Sequence, residues 1–286
     1  MTGRLLARRS SVIGLAIVAT LAAVALLAPW LAPHDPTLVD PASGFAGVSA
    51  SHWLGTDNLG RDVLSRLIFG ARWSLGIVLV ATLLIMSAGV VVGVAAGYVG
   101  GVLDDVLMRL VDTILSVPSL LLGLAIIGSL GPGIGSLMIG LSSIWWVGYA
   151  RVVRGLVLGL RERGFVDAAR ALGATDGRII LHHILPSILP AVAVLASLEL
   201  GELVLAISGL SFLGLGAQPP TPEWGAMLND GRNFFFTAPQ LMLYPGIVIS
   251  VAVLGFNLVG DGLRDALDPA EASSLNGAGV GVGVGS

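Results

Sequence analysis

Long stretches without any charged residue dominate this chain, and they constrain its fold more than any other feature. Four of them cover residues 10–33, 73–103, 113–150 and 241–260. A helix of about 20 apolar residues crosses a hydrocarbon core roughly 30 Å thick. Hydrophobic residues make up 55% of the chain and charged residues only 12%, which excludes an ordinary soluble domain. The sequence therefore predicts an all-α, polytopic membrane protein.

The stretch 113–150 is too long for a single crossing, because a helix of that length would measure about 57 Å. The turn Gly131-Pro132-Gly133 interrupts it and predicts two spans, the first beginning upstream near Val106. Residues 186–216 carry only two acids and add a further span. We therefore predict six transmembrane helices, with both termini on one side of the membrane.

Arginine placement indicates which side that is, because cytoplasmic loops near span ends carry an excess of positive charge. A cytoplasmic N-terminus places eleven arginines inside and four outside. The inner set is Arg4, Arg8, Arg9, Arg109, Arg151, Arg154, Arg161, Arg163, Arg170, Arg178 and Arg264, and the outer set is Arg61, Arg66, Arg72 and Arg232. We expect both termini in the cytoplasm. A cleaved signal peptide over residues 10–33 is the less favoured alternative, because its apolar part is usually only about 7 to 15 residues long.

Missing residue types restrict the chemistry. The chain has no lysine, so it lacks the phosphate-binding lysine of a P-loop, and energy from ATP must come from a partner. It has no cysteine, which excludes thiol catalysis and thiolate metal sites. The histidines lie outside the predicted spans, at His34, His52, His182 and His183. We expect no catalytic site, no metal and no cofactor bound by this chain.

A polar segment between two spans has the pattern of a helical hairpin. Phe165, Ala168, Ala169 and Leu172 fall at i, i+3, i+4 and i+7, which predicts one apolar stripe on a short helix. Gly173 is suited to end that helix. Asp176 is then expected to N-cap a second helix that leads into the next span. Periodicity alone leaves open whether the stripe lies on lipid headgroups or contacts a partner.

The hairpin sequence resembles the EAA loop of ABC-importer permeases. The matching positions are Asp167-Ala168-Ala169, Gly173 and Leu185-Pro186, with Asp167 in place of the family's Glu and His183 in place of its Ile. The resemblance implies a coupling helix that docks on the ATPase. The residues to which it assigns this role are Phe165, Asp167, Ala168, Ala169, Arg170, Leu172, Gly173, Leu185 and Pro186.

Two further segments are similar to one branch of that superfamily, the second permease subunit of dipeptide, oligopeptide and nickel importers. They are residues 52–66, HWLGTDNLGRDVLSR, and residues 210–225, LSFLGLGAQPPTPEWG. The resemblance implies a type I ABC-importer permease fold in a prokaryotic cytoplasmic membrane. It also implies a homologous permease, two ABC ATPases that hold ATP and Mg²⁺, and an extracytoplasmic binding protein, with no nucleic acid. The outer loop is expected to meet the binding protein through Gln218, Pro219, Pro220 and Trp224.

This interpretation divides the chain into three parts. Residues 1–72 hold the first span and an extracytoplasmic segment whose residues 61–72 are expected to form an interfacial helix, with Asp62, Ser65 and Arg66 in water. Residues 73–268 form a five-span core that contains the hairpin, residues 161–186. Residues 269–286 are a Gly-rich tail with too little apolar content to fold.

Polar and small residues inside the spans indicate internal contacts. An ionisable group in a span is costly and must face a cavity, a partner or another polar side chain. Glu199 and Glu202, together with Asp112 and Asn257, are therefore candidates either for a translocation pathway or for buried hydrogen bonds between helices. In the second span glycines recur every four residues, at positions 89, 93 and 97, which predicts close approach of a neighbouring helix.

The function expected from these features is that of a permease subunit for di- or oligopeptides, working by alternating access. Nickel or haem import by a permease of the same family is the nearest alternative. Two other classes remain open: a secondary carrier that uses Glu199 and Glu202 as a proton relay, and an anchoring subunit with no conduction path.

Overall fold

A computed structural model describes residues 8–267 of the protein, and within that range it contains helices and loops but no β-strand. The helices are α1 (Arg9–Leu31), α2 (Val63–Val99), α3 (Gly101–Leu115), α4 (Ser119–Leu130), α5 (Ile134–Arg161), α6 (Gly164–Ala171), α7 (Asp176–Ile179), α8 (Leu185–Phe212), α9 (Trp224–Gly231) and α10 (Gln240–Leu267). Short 3₁₀ turns lie at Pro41–Ser43 and Arg232–Phe234, and a π-helical turn, Ile180–Ile184, joins α7 to α8. The predicted tail 269–286 and Arg4 lie outside the described residues.

Five helical segments in the described range are long and apolar enough to cross a membrane: α1, α2, α5, α10 and the run Asp176–Phe212. A sixth crossing is present if α3 and α4 are counted as one broken span, since they are bent by 87° relative to each other. The predicted break at Gly131-Pro132-Gly133 is confirmed, because α4 ends at Leu130 and α5 begins at Ile134. The multi-span, all-α class is confirmed with it.

The bend between α3 and α4 was not expected, and its cause lies in the local sequence. Pro118 has no amide hydrogen and disfavours helical backbone at Val117, so a break in the helix is favoured at this point. The hydroxyl of Ser116 donates a 2.7 Å hydrogen bond to the Thr113 carbonyl and helps to close the end of α3. The expected single span from Val106 is therefore two shorter helices.

The long helices run between two ends of the bundle. Residues 161–186 lie at one end, which we call the hairpin end, together with the last turns of α2. The opposite end, the cap end, holds residues 32–62 and 213–239. Arg8 forms an ion pair with Asp265, so the first and last described residues share one end, as an even number of crossings requires.

Glycines allow α2 to lie directly against α5. A Cβ atom at Gly89 would come within 2.3 Å of Tyr149 Cβ, and one at Gly93 within 2.6 Å of the Ala150 carbonyl oxygen. At Gly97 the corresponding contact is the Arg154 carbonyl oxygen at 2.9 Å. The prediction of a close helix contact along this glycine repeat is confirmed.

The start of α2 differs from the expected interfacial helix. Residues 63–72 are the first turns of the continuous helix Val63–Val99, and the boundary expected at residue 72 falls inside it. Asp62, Ser65 and Arg66 are buried rather than in water. The reason is tertiary, because residues from the other side of the cap cover this surface and pair with it.

Candidate functional site

The hairpin begins with α6 and turns at Gly173. The Gly173 amide donates to the Arg170 carbonyl at 2.9 Å, and the Ala174 amide donates to the Ala169 carbonyl at 3.0 Å. Gly173 has φ +80°, a left-handed conformation in which glycine avoids the strain that a Cβ would cause. The sequence-based assignment of Gly173 to the end of this helix is confirmed.

The second arm of the hairpin is held to α2. The hydroxyl of Tyr98 donates a 2.6 Å hydrogen bond to Asp176 Oδ1. The expectation that Asp176 caps α7 is wrong, because Thr175 occupies the N-cap position and Asp176 is the first helical residue. Tyr98 is one of the residues that sequence reasoning missed, since its partner lies 78 residues away.

The apolar stripe of α6 points away from the bundle. Val166 is fully buried and seats the helix on the core, together with Ile179 and Ile184 from the second arm. Phe165 is 41% exposed and Leu172 is 88% exposed. Of the four residues in the predicted stripe, only Ala169 is partly buried against the core. The residue that anchors α6 in the core is Val166, which lies outside the predicted stripe.

The polar residues of α6 lie around this exposed surface. Asp167 and Arg170 are 3.6 Å apart, and the guanidinium of Arg170 lies 5.8 Å from the centre of the Tyr98 ring. Leu185 is half-buried and packs against the core, while Pro186 is exposed in the first turn of α8, where a proline is tolerated. The hairpin is thus fixed to the bundle on one side and exposes apolar and charged groups on the other.

The candidate pathway residues separate into two groups. Glu199 of α8 is half-buried, and its carboxyl group lies beside the hydroxyl of Tyr149 of α5. Glu202, one turn further along α8, is exposed. Asn257 of α10 is also exposed and lies against the neighbouring Gly201, where an added Cβ would meet Asn257 Oδ1 at 2.5 Å.

Asp112 does not join that group. It is exposed on α3 and forms an ion pair with Arg151 of α5. One turn closer to the hairpin end of α5, Arg154 makes a two-point contact with Asp104, with distances of 2.5 and 2.6 Å. These pairs fasten α3 to α5, so the structure gives Asp112 a salt-bridge partner that the sequence did not indicate.

At the cap end, the loop after α8 presents part of the predicted binding-protein contact. Gln218, Pro219 and Pro220 are exposed. Gln218 and Pro219 line an open cleft of about 310 Å³ that also includes Arg61 and Asp230. Their role as a contact surface stays a prediction.

Trp224 does not fit that prediction. It is fully buried, and its Nε1 donates to the Leu67 carbonyl at 3.1 Å. Its neighbour Glu223 is buried as well and caps α9, accepting from the Gly225 and Ala226 amides at 3.0 and 2.9 Å. Burial raises the pKa of Glu223, against the opposing effect of these hydrogen bonds. The expected surface contact of Trp224 is wrong because this residue anchors the loop to α2.

A buried ionic network holds the two parts of the cap together. Arg61 contacts Asp57 at 2.6 Å and Asp230 at 3.1 Å, and Arg66 contacts the same Asp230 oxygen at 3.1 Å. Both arginines are buried, although arginine counting places them in an aqueous loop. Sequence reasoning missed this network because Asp230 lies more than 160 residues from its partners.

Two histidines also meet at the cap end. His34 and His52 lie side by side, with ring centres 4.8 Å apart, and both approach Asp62. The sequence predicted no metal site, and nothing in the spacing of these residues indicated that they come together.

Comparisons with known proteins agree with this architecture. Residues 89–272 match the family model "Binding-protein-dependent transport system inner membrane component", and residues 2–46 match "N-terminal TM domain of oligopeptide transport permease C". The chain is 44% identical to the nickel transport system permease protein NikC of Escherichia coli (strain K12) over 257 residues, covering 90% of this chain and 93% of NikC.

Two other relatives are similar over nearly the same length. The dipeptide transport system permease protein DppC of Alkalihalophilus pseudofirmus is 43% identical, covering 91% of this chain and 85% of DppC. The glutathione transport system permease protein GsiD of Pectobacterium atrosepticum is 41% identical, covering 88% of this chain and 84% of GsiD.

Among solved structures, an inward-facing form of the MetNI methionine ABC transporter has a similar fold, with a TM-score of 0.53 and 22% identity. The match covers 71% of this chain and 96% of that one. The multi-span bundle and the hairpin between two of its spans thus define a helical membrane permease. The chain belongs to the family of binding-protein-dependent transport system inner membrane components, as a permease of the peptide, nickel and glutathione group of ABC importers.

Proposed function

We propose that this chain is the second-type permease subunit of an importer that carries di- or oligopeptides across a prokaryotic cytoplasmic membrane. In the proposed assembly it pairs with a homologous permease, and an extracytoplasmic binding protein delivers the substrate. Two ABC ATPases hold ATP and Mg²⁺, and this chain supplies no ATPase activity and binds no nucleotide. Alternating access then follows when the ATPases close and move the hairpin with the spans joined to it.

The observation that carries this proposal is the geometry of the hairpin. A segment that only lay on lipid headgroups would not need fixed contacts with the bundle. This hairpin has such contacts, because Val166 is buried in the core and the Tyr98 hydroxyl donates a hydrogen bond to Asp176. It exposes Phe165 and Leu172, which are apolar groups suited to a pocket on a partner. Force applied to such a surface is transmitted to α2 and α8.

The proposed orientation places the hairpin end and both termini in the cytoplasm. The arginine distribution supports it, because the hairpin end carries Arg161, Arg163, Arg170 and Arg178. The cap end, with its cleft beside Gln218 and Pro219, then faces the binding protein.

Cross-linking tests the docking surface directly. The chain has no cysteine, so Leu172→Cys introduces a unique thiol at the exposed end of α6. In the assembled importer this thiol should cross-link to a cysteine placed in the ATPase surface. Leu213→Cys is the matched control, since Leu213 is also exposed but lies at the cap end. Equal cross-linking at both positions, or none at Leu172→Cys, would contradict the docking hypothesis.

Peptide transport is the proposed substrate class, supported by the match to the oligopeptide permease domain and by the similarity to DppC. Nickel transport is the second candidate, favoured by the similarity to NikC. Proteoliposomes containing the complete importer should take up a labelled dipeptide when ATP is present. The degree to which Ni²⁺, haem or glutathione reduces this uptake then ranks them as alternative substrates. Uptake of Ni²⁺ without uptake of any peptide would replace the first candidate by the second.

The proton-relay alternative depends on Glu199 and Glu202. Under the importer hypothesis, uptake requires ATP and the ATPases, and a pH gradient alone drives none. In the Glu199→Gln and Glu202→Gln variants, substrate uptake is therefore expected to depend on ATP as it does in the natural protein. This expectation does not concern the rate of uptake. Uptake by the purified chain with a pH gradient and no ATPase would instead establish a secondary carrier.

A further inference from the structure

The cap end brings together three side chains that commonly bind metals. His34 follows α1, His52 lies in the loop before α2, and Asp62 is the N-cap residue of α2. His52 Nδ1 lies 2.9 Å from Asp62 Oδ1, and His34 Nδ1 lies 3.8 Å from Asp62 Oδ2. Their potential ligand atoms all lie within 4.8 Å of one another. Two ligands of a single zinc-like ion, each about 2.0 to 2.1 Å from it, stand roughly 3 Å apart, so small side-chain movements are enough.

One of these atoms has no other role in the structure. The Nδ1 atom of His34 is buried, and no hydrogen-bond partner for it is found among residues 8–267. Buried polar atoms are nearly always satisfied, so an unpartnered imidazole nitrogen that faces a carboxylate and a second imidazole needs an explanation. A cation between the three groups would satisfy it.

Ser65 forms hydrogen bonds that hold two of the three residues, Asp62 and His34, in place. Its amide and hydroxyl donate to Asp62 Oδ2 at 2.8 and 2.7 Å, which fixes the carboxylate and leaves Oδ1 directed towards His52. The Ser65 hydroxyl oxygen also accepts the backbone N–H of His34 at 3.0 Å. Support of this kind around the ligands is a usual feature of metal sites.

The cluster is also accessible. His34 lines an open cleft of about 600 Å³, together with Asp35, Trp73 and Pro222. An ion can therefore reach the His34 ring from the surface of the cap, and a small side-chain movement would bring it to the buried His34 Nδ1 atom and to Asp62. Two imidazoles and one carboxylate with room for water form a donor set suited to Zn²⁺, Ni²⁺ or Co²⁺ rather than to Mg²⁺ or Ca²⁺.

We propose that His34, His52 and Asp62 form a binding site for one divalent transition-metal ion at the cap end. The ion would join the end of α1 to the N-terminus of α2 and so brace the surface that carries the cleft. The proposal concerns an ion held by the permease and does not depend on which substrate is transported.

Zn²⁺ titration of the purified full-length chain tests this proposal. The protein carries an affinity tag without histidine and is freed of metal by a chelator. Because the chain has no cysteine and only four histidines, background binding is small. We expect one saturable equivalent of Zn²⁺ and a rise in the apparent melting temperature on saturation. X-ray absorption of the complex should show two imidazole ligands.

Variants of the two proposed histidine ligands and of Ser65 test whether Zn²⁺ binds at this place. His34→Gln and His52→Gln should each weaken Zn²⁺ binding at least about tenfold, and Ser65→Ala should weaken it by about tenfold through loss of support. The double variant His182→Gln/His183→Gln removes the two exposed histidines at the hairpin end and should leave affinity unchanged. Melting curves of each metal-free variant verify that it is folded.

Three results would overturn the proposal. The first is absence of saturable binding below about 1 mM Zn²⁺. The second is unchanged affinity in folded His34→Gln and His52→Gln proteins, and the third is a coordination shell that contains no imidazole. None of these results depends on a transport assay, so a failure of the metal-site proposal would not contradict the proposed importer function.

Discussion

Tyr98 and Asp176 are joined by a 2.6 Å hydrogen bond that connects the last turn of α2 to the second arm of the hairpin. The ring of the same tyrosine lies 5.8 Å from the guanidinium of Arg170 in the first arm. One side chain of a spanning helix therefore touches both arms. This contact gives a direct route for movement between the proposed docking surface and the membrane-spanning helices.

Tyr98→Phe removes only the hydroxyl and should weaken that route. The loss of one hydrogen bond costs about 1 kcal/mol, so we expect the protein to fold and assemble. Substrate uptake per ATP hydrolysed should fall, because the hairpin can move without α2. The measurement is uptake and ATPase activity of the complete importer in proteoliposomes. Tyr244→Phe, near the start of α10 at the cap end, is the control, and an equal effect of both changes would count against the route.

Substitution of Gly173 should separate backbone strain from side-chain volume. A β-branched residue at φ +80° is strongly disfavoured, whereas asparagine tolerates this conformation. No atom of the described residues lies within 4 Å of a Cβ at this position, so the bundle itself leaves space. We expect Gly173→Val to remain in the membrane but to lose transport, and Gly173→Asn to retain part of it. Gly177→Ala, which has neither a positive φ nor a close neighbour, should transport normally. Normal uptake by Gly173→Val would weigh heavily against the coupling role.

The contact between α2 and α5 should be sensitive to one added methyl group. Alanine at Gly93 would place its Cβ 2.6 Å from the Ala150 carbonyl oxygen and 2.7 Å from Val153 Cβ. Gly93→Ala should therefore lower the free energy of unfolding by about 1 to 3 kcal/mol. Gly76→Ala in the same helix meets no atom within 4 Å and should be neutral or slightly stabilising. Thermal unfolding in detergent measures both, and similar melting temperatures for the two variants would contradict this close packing of α2 on α5.

Glu223 should make the stability of the cap depend on pH. Because burial raises its pKa in the folded state, the folded protein binds this proton more tightly than the unfolded chain does. The contribution of Glu223 to stability therefore decreases as pH rises above the unfolded value of about 4.3 and through the higher folded value. The melting temperature of the natural protein minus that of Glu223→Gln should therefore become more positive as pH is lowered from about 8 towards that unfolded value. If this difference became more negative on acidification, the buried donors, among them Ser74, Gly225 and Ala226, would favour the carboxylate more than burial disfavours it.

The features predicted correctly from the sequence are those that depend on local rules. A membrane leaves backbone groups no water to bind, so an uncharged stretch of sufficient length must be helical. Glycine and proline then set the break at Gly131-Pro132-Gly133, the turn at Gly173 and the approach of α2 to α5 at Gly89 and Gly93. Pro118 is a local signal of the same kind, from which the bend between α3 and α4 could have been predicted.

The features that were missed depend on partners distant in the sequence. Counting loop charges places Arg61 and Arg66 in water, but in the fold both are buried and both contact Asp230 from a distant part of the chain. Trp224 is an interfacial residue by type, but a carbonyl of α2 accepts its N–H inside the cap. His34 and His52 are 18 residues apart, and their meeting at Asp62 depends on how the loop folds back. No periodicity or motif encodes such contacts.

The unbroken length of α2 has a consequence for how the two faces of the membrane communicate. With 37 residues it extends about 55 Å, well beyond the hydrocarbon core. One extremity is clamped by the arginines and Asp62 of the cap, and the other reaches Tyr98. For a rod of that length, a tilt of about one degree displaces the far tip by about 1 Å. Under the proposed function, a contact made at the cap and a contact made at the hairpin would therefore be linked through the same small rotation of this helix.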